Sequence, residues 1–232
     1  MVVLGRLTAQ EKGRDRIRMG AVLDMPVLEC RADLSGRWGK RRAERALKRL
    51  ARAGVEQVLL PDGFPWPELM ERYGLTPPDA GPLIRAMAAP LALAALERLE
   101  RPPERATVAL LGRPGAGDAA RAARQLCPLV RRLALAEGAA AEDLRRTWGT
   151  PVLPPDSPAD AALCFAPGYG GDAPVVLRLW QGEEGLMGFA LYCPALPPEQ
   201  REDLPLLAAL YQAGKLGRGG VKVLDKCGRK NL

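Results

Sequence analysis

The residues best placed to do chemistry are six in a row: Gly112, Arg113, Pro114, Gly115, Ala116 and Gly117. They follow the apolar run Val108 to Leu111 and lead into Gly117 to Leu126, whose apolar residues recur at helical spacing, so a glycine-rich turn joins a strand to the start of a helix. The first N–H groups of a helix have no partner within it, and the helix dipole is positive there. Such a turn can therefore hold a phosphate. Glu137 ends a second strand-like run 20 residues beyond Gly117, where a carboxylate can accept hydrogen bonds from sugar hydroxyls.

This arrangement resembles the Rossmann dinucleotide-binding fingerprint G-x-G-x-x-G over Ala106 to Phe165. Gly112 aligns with the first glycine, which makes the tight turn, and Gly117 with the third, which permits close packing of the helix. Pro114 occupies the middle position, where backbone must approach the pyrophosphate. Proline has no N–H and adds a ring at that point, so the anion site is compromised. Gly115 offers a shifted register, G-x-G-x-x-A ending at Ala120, that begins late relative to the strand. The resemblance implies the NAD(P)-binding domains that follow a separate substrate domain in some small dehydrogenases. Before residue 100 no motif matches the substrate-handling lysines and acids of those enzymes.

Tyr211 and Lys215 reproduce the Y-x-x-x-K spacing that resembles short-chain dehydrogenases, without Ser35 or Ser157 about a dozen residues upstream to complete the set. The ordinary role for this pair is packing of Tyr211 beside Leu207 and Leu210, with Lys215 ending a helix. Asp62 and Asp172 each follow a strand-like run, but Pro61-Asp62-Gly63 and Gly170-Gly171-Asp172 are first of all turn chemistry. Glu142 and Asp143 fall in the first turn of a helix, where carboxylates complement the dipole.

Composition excludes more than it suggests. The sequence has no histidine, which removes Ser-His-Asp and Cys-His activation and the commonest metal ligand. Five cysteines, Cys30, Cys127, Cys164, Cys193 and Cys227, are widely spaced with no C-x-x-C, so they read as reduced thiols and not as a disulfide framework or zinc site. The longest apolar run, Ala86 to Leu96, is 11 residues and contains Pro90, short of a membrane span. Met1 to Leu4 is too short for the apolar core of a secretory signal. A cytoplasmic location is expected.

The net charge of +7 is uneven: residues 1–52 carry 14 Lys and Arg against 6 Asp and Glu, and the remainder 20 against 21. Ala43, Ala46, Leu47 and Leu50 recur at helical spacing among Arg37, Lys40, Arg41, Arg42, Arg45, Lys48, Arg49 and Arg52, which predicts an amphipathic helix with a basic outer face. Such a face can meet nucleic acid or an acidic partner. Arginine outnumbers lysine 27 to 7, so a compositional preference for arginine also accounts for part of it.

Strand-like Val2 to Thr8 and Ile17 to Leu28 flank a polar turn, Gln10 to Asp15, and predict a hairpin or small sheet. The basic helix and the strand Val55 to Leu60 follow. Short helical segments then precede a longer helix, Ala80 to Glu100, kinked at Pro90 and closed by Arg101-Pro102-Pro103. Beyond lie alternating strands and helices that imply a parallel sheet: strands Thr107 to Leu111, Arg132 to Ala136, Val152 to Leu153 and Ala161 to Phe165. Val175 to Trp180 and Leu186 to Tyr192 flank a turn-rich break and predict an antiparallel hairpin. A helix Leu204 to Leu216 and a strand Val221 to Leu224 complete the reading.

The sequence therefore predicts an α/β fold, a mostly parallel Rossmann-like sheet in residues 102–232 with a smaller α/β region in residues 1–101. Its first functional reading is a non-catalytic cytoplasmic protein whose degenerate Rossmann-like domain, holding no cofactor, serves as an interaction or regulatory scaffold, with a protein as the possible partner. The alternatives are an NAD(P)-dependent oxidoreductase binding NAD or NADP through Gly112, Gly115, Gly117 and Glu137, and a nucleic-acid-binding protein acting through the helix at residues 39–53. No membrane partner is expected.

Overall fold

The computed structural model describes residues 3–10, 16–113 and 117–227. By its contacts the chain forms two compact units, one running up to Asp79 and taking back Pro205–Gly217, the other running from Ala80 to Leu204 and from Arg218 onward. The Arg101-Pro102 bend lies inside the second unit. Proline-rich composition marks a change of direction there, whereas the helical segment before it packs on the sheet that follows.

The first unit holds β1 (Leu4–Ala9), β2 (Arg16–Val22), β3 (Met25–Ala32), α1 (Gly39–Arg52), β4 (Gln57–Leu59) and α2 (Glu68–Arg72). Its sheet runs in the order β2-β3-β1-β4. The apolar stretch Ile17 to Leu28 is not one strand: Leu23 and Asp24, at φ 45° and 60°, form a two-residue turn, and β2 and β3 are the antiparallel hairpin. β1 lies parallel to β3 and to β4. Most of the turn expected at Gln10 to Asp15 lies outside the described residues.

α1 explains the apolar spacing in its sequence. Ala43, Ala46, Leu47 and Leu50 are fully buried against Leu7, Cys30 and Val58 of the sheet, while the cationic positions between them face away. Burying such a side chain contributes roughly 1.5–3 kcal/mol, so packing and not helix propensity fixes this element.

The second unit opens with α3 (Gly81–Ala86) and α4 (Ala88–Arg98), then β5 (Thr107–Leu111), α5 (Gly117–Leu126), β6 (Arg132–Leu135), α6 (Ala139–Trp148), β7 (Val152–Leu153), β8 (Ala161–Cys164), β9 (Val175–Arg178), β10 (Phe189–Tyr192) and β11 (Lys222–Asp225). The single kinked helix expected over Ala80 to Glu100 is two helices divided at Met87. Pro90 sits in the first turn of α4, where its missing N–H has no partner to lose.

Five strands form one parallel sheet in the order β7-β6-β5-β8-β9. Counted from β5, this is 3-2-1-4-5, the strand order of a Rossmann fold up to its fifth strand. The fold is α/β, as the alternation of elements predicts. Ala134, Ala109 and Ala162 stand in register across three neighbouring strands and leave that face shallow.

The hairpin expected between residues 175 and 192 does not form. β9 adds in parallel to β8, and β10 pairs antiparallel with β11 from the far end of the chain. The turn-rich residues between them form a 3-10 helix, Gly182–Leu186. Turn chemistry ended the strand correctly, but its partner is β8, and at the sheet edge Val175 and Leu177 are still buried.

The last helix, α7 (Leu204–Gln212), joins the first unit from Pro205 on. Gln212 Nε2 donates to the Asp79 carbonyl at 2.7 Å, and Gln57 Nε2 donates to Gln212 Oε1 at 3.0 Å. Among the described residues no helix is long and apolar enough to cross a membrane.

Candidate functional site

Parallel strands β5 and β6 bring Gly112 and Glu137 to the same end of the sheet, the carboxyl end, where open α/β sheets gather ligands. The structure thus places two of the four sequence-identified residues beside one crevice. Gly112, Arg113, Ala119, Ala120, Leu135, Glu137 and Gly138 are among its lining. Pro114 and Gly115 lie outside the described residues.

Gly112 is a glycine for a packing reason. The Phe165 N–H donates to the Leu111 carbonyl at 2.8 Å, and a Cβ at position 112 would stand 3.1 Å from Phe165 Cβ. Gly117 is different: among the described residues a Cβ there meets nothing within 4 Å. The third glycine of the fingerprint therefore lacks the role, close helix packing, that the fingerprint assigns to it.

Asp118, which the sequence analysis did not single out, occupies the first turn of α5. Arg85 Nε donates to its Oδ2 at 2.9 Å and Arg121 Nη1 to its Oδ1 at 3.1 Å. The carboxylate sits beside the free N–H end of the helix, where it gains from the dipole. A negative charge in that first turn also works against a second anion at the same helix end. An acid directly after the last glycine of the run was the sequence feature that could have revealed this.

Glu137 is exposed and forms a two-pronged ion pair with Arg145 of α6. That hydrogen bonding, together with the positive charge, holds its carboxyl below the usual glutamate range. Gly138, the residue preceding α6, has φ 151° and ψ −174°, a region essentially reserved for glycine. The Glu-Gly pair thus serves as the strand-to-helix corner, and the carboxylate already has a partner.

The crevice between these elements holds about 30 Å³, against roughly 300–1,000 Å³ for a small-molecule site.

Other sequence candidates do not assemble into a site. α7 ends at Gln212, and Gly214 turns left-handed at φ 68°, so Tyr211 and Lys215 are not on consecutive turns of one helix. Asp62 is exposed in a turn of the first unit, and Asp172 is exposed in an irregular segment of the second. Asp143 accepts from Arg124 at 3.2 Å and Arg146 at 3.3 Å, so the α6 acid is a structural bridge. Cys30, Cys127, Cys164 and Cys193 are buried and Cys227 is exposed. Burial raises the Cys164 thiol above its ordinary value, only partly offset by the Arg178 charge. No cluster of acids and cysteines suits a metal among the described residues.

No protein-family model matches the chain, and no curated protein matches it. Among solved structures, L-tryptophan dehydrogenase from Nostoc punctiforme is similar at 16% identity over 60% of this chain, with a TM-score of 0.29. The match spans 44% of that enzyme's chain, under half its length. A likeness this low carries no weight for fold or activity, and the 3-2-1-4-5 strand order stands on its own.

Proposed function

We propose that this chain is a non-catalytic α/β protein in which the Rossmann-like sheet of the second unit acts as an interaction or regulatory scaffold and no longer carries a dinucleotide. The observation that supports this reading most is Asp118, held by Arg85 and Arg121 at the start of α5. A phosphate brought to that helix end would face a carboxylate instead of an open row of N–H donors. Pro114, the small crevice and the engagement of Glu137 by Arg145 point the same way. Five free cysteines support a reducing, cytoplasmic setting.

The second reading is an NAD(P)-dependent oxidoreductase. Its support is the strand order together with Glu137 just past β6, the place for an acid that binds ribose hydroxyls. Calorimetric titration with NAD(H) and NADP(H) separates the two. The scaffold reading expects no saturable heat. Micromolar binding that Glu137→Ala weakens would overturn it.

A further inference from the structure

We infer that the outer face of α1 is a docking surface for single-stranded nucleic acid, with Arg41, Arg45, Lys48, Arg49 and Arg52 meeting phosphates and Trp38 stacking on an unpaired base. The inference concerns the first unit and holds whether or not the second unit binds a dinucleotide.

The first argument is placement. At about 100° per residue, Arg41, Arg45, Lys48 and Arg52 fall within an arc of about 60°, and Arg49 stands beside it. This stripe lies opposite Ala43, Ala46, Leu47 and Leu50, which are fully buried. From Arg41 to Arg52 it extends about 16 Å at 1.5 Å rise per residue. All five cationic side chains are exposed.

The second argument is the run of unpaired cations on one helix face. Several arginines elsewhere have acids, as Arg72 has Glu44, Arg85 has Asp118, Arg98 has Asp225, Arg124 has Asp143 and Arg145 has Glu137, and those without one among the described residues, such as Arg105, Arg132 and Arg218, do not line up on one helix. On α1 itself, Lys40 pairs with Glu68 and Arg42 with Asp33, both off the stripe. Glu44, the one acid of α1, accepts from Arg72 and Tyr73. Among the described residues, none of the five stripe cations, nor Arg37, forms an ion pair, although Lys48 contributes its charge to Glu44. Positive charge in excess along a line raises the local concentration of a polyanion.

The third argument selects the polyanion. Trp38 is 43% exposed at the start of the stripe, with the Arg37 guanidinium 5.1 Å and the Arg41 guanidinium 4.7 Å from its ring. An exposed aromatic ring next to phosphate-binding cations is the arrangement that binds unpaired strands, since a base inside a duplex cannot stack on it. A membrane-surface helix would need an exposed apolar face, and the apolar face of α1 is committed to the core.

The test is fluorescence anisotropy with a labelled oligothymidine of about 12 nucleotides, a length within the usual single-strand site size. The expected result is binding that weakens with salt, with a log–log slope of up to about −3.5 for five phosphate contacts. The triple change Arg41→Glu, Arg45→Glu, Arg49→Glu should lower affinity about tenfold or more and flatten the slope by about 2. Trp38→Ala should cost about 5- to 160-fold on the single strand and nothing on a duplex of the same length. Reversal of three exposed arginines elsewhere, Arg105, Arg146 and Arg218, should leave affinity within about twofold.

Three results would overturn the inference: no binding by the native chain at low salt, equal loss with the control reversals, or duplex or polyglutamate bound as tightly as the single strand with Trp38→Ala silent. Should the charge-reversed chain fail to fold by circular dichroism, the corresponding Arg→Gln triple supplies the same comparison with half the change in charge. Nucleotide calorimetry reads the second unit separately, so the two proposals fail independently.

Discussion

Arg145 donates to both carboxylate oxygens of Glu137, from Nη1 to Oε2 at 2.9 Å and from Nη2 to Oε1 at 2.5 Å. The pair joins the end of one parallel strand to the helix that follows. The acid that gave the sequence its strongest likeness to a ribose-binding site thus has a local, structural partner.

Removing that partner should be visible in the titration of Glu137. Its carboxyl lies below the usual range because Arg145 hydrogen-bonds and charges the site. In Arg145→Gln it should rise toward the ordinary glutamate range, followed by carboxyl-carbon NMR. A carboxyl depressed by folding stabilises the native state above its unfolded value and loses that contribution as pH falls through the folded one. Arg145→Gln should therefore flatten the acid limb of stability; an unchanged titration would show that the ion pair is absent in solution.

The two fingerprint glycines should answer oppositely to alanine. Gly112→Ala drives a Cβ to 3.1 Å from Phe165 Cβ and is expected to cost about 1–3 kcal/mol. Gly117→Ala meets nothing among the described residues, and is expected to be neutral or stabilising by about 0.4–1 kcal/mol. Denaturant unfolding of both variants checks the contrast, and equal losses would contradict the packing described for β5 and α5.

Asp118→Asn leaves Arg85 without its carboxylate, in a pair whose side chains are 29% and 32% exposed. At that exposure the loss should stay within about 1 kcal/mol. Its informative readout is instead phosphate or pyrophosphate affinity. If Asp118 closes the α5 terminus to anions, the asparagine variant should gain affinity by calorimetry; no gain would shift the cause to the turn ahead of it.

Leu47 is fully buried between α1 and the first sheet. Leu47→Ala should destabilise by about 2–5 kcal/mol, measured by thermal or urea unfolding. An exposed neighbour such as Arg45→Gln should stay within about 0.5 kcal/mol.

Thiol labelling checks burial across both units. Cys227 is exposed while Cys30, Cys127, Cys164 and Cys193 are covered, and burial keeps the Cys164 thiol protonated. Native protein should release one rapid equivalent from a disulfide reagent, and unfolded protein all five. Rapid reaction at Cys164 would contradict the β8 packing.

Elements set by local pattern were legible in the sequence. Thr107 to Leu111 and Gly117 to Leu126 fall where apolar runs and helical spacing put them, because each buries its own periodic face. Partners chosen over long range were not. β10 reads as half of a hairpin with β9, yet pairs with residues 222–225, since no local feature encodes a partner 30 residues away. The break at Met87 was hidden because Pro90 drew attention to itself, although a proline in a first turn is harmless. At the crevice, Gly112 and Glu137 were visible by spacing. Asp118 and Arg145 were not, because their meaning depends on which cation or anion the fold brings within reach.

The return of residues 205–217 to the first unit has a consequence for biosynthesis. A nascent chain that has just delivered Asp79 to the tunnel exit still lacks the segment bearing Leu206, Leu207 and Leu210, all fully buried. At ordinary elongation rates that segment arrives on the order of ten seconds later. Until then the earlier-made sheet must wait part-clothed, and the second unit is finished later still, once the residues that supply β11 emerge to pair with β10.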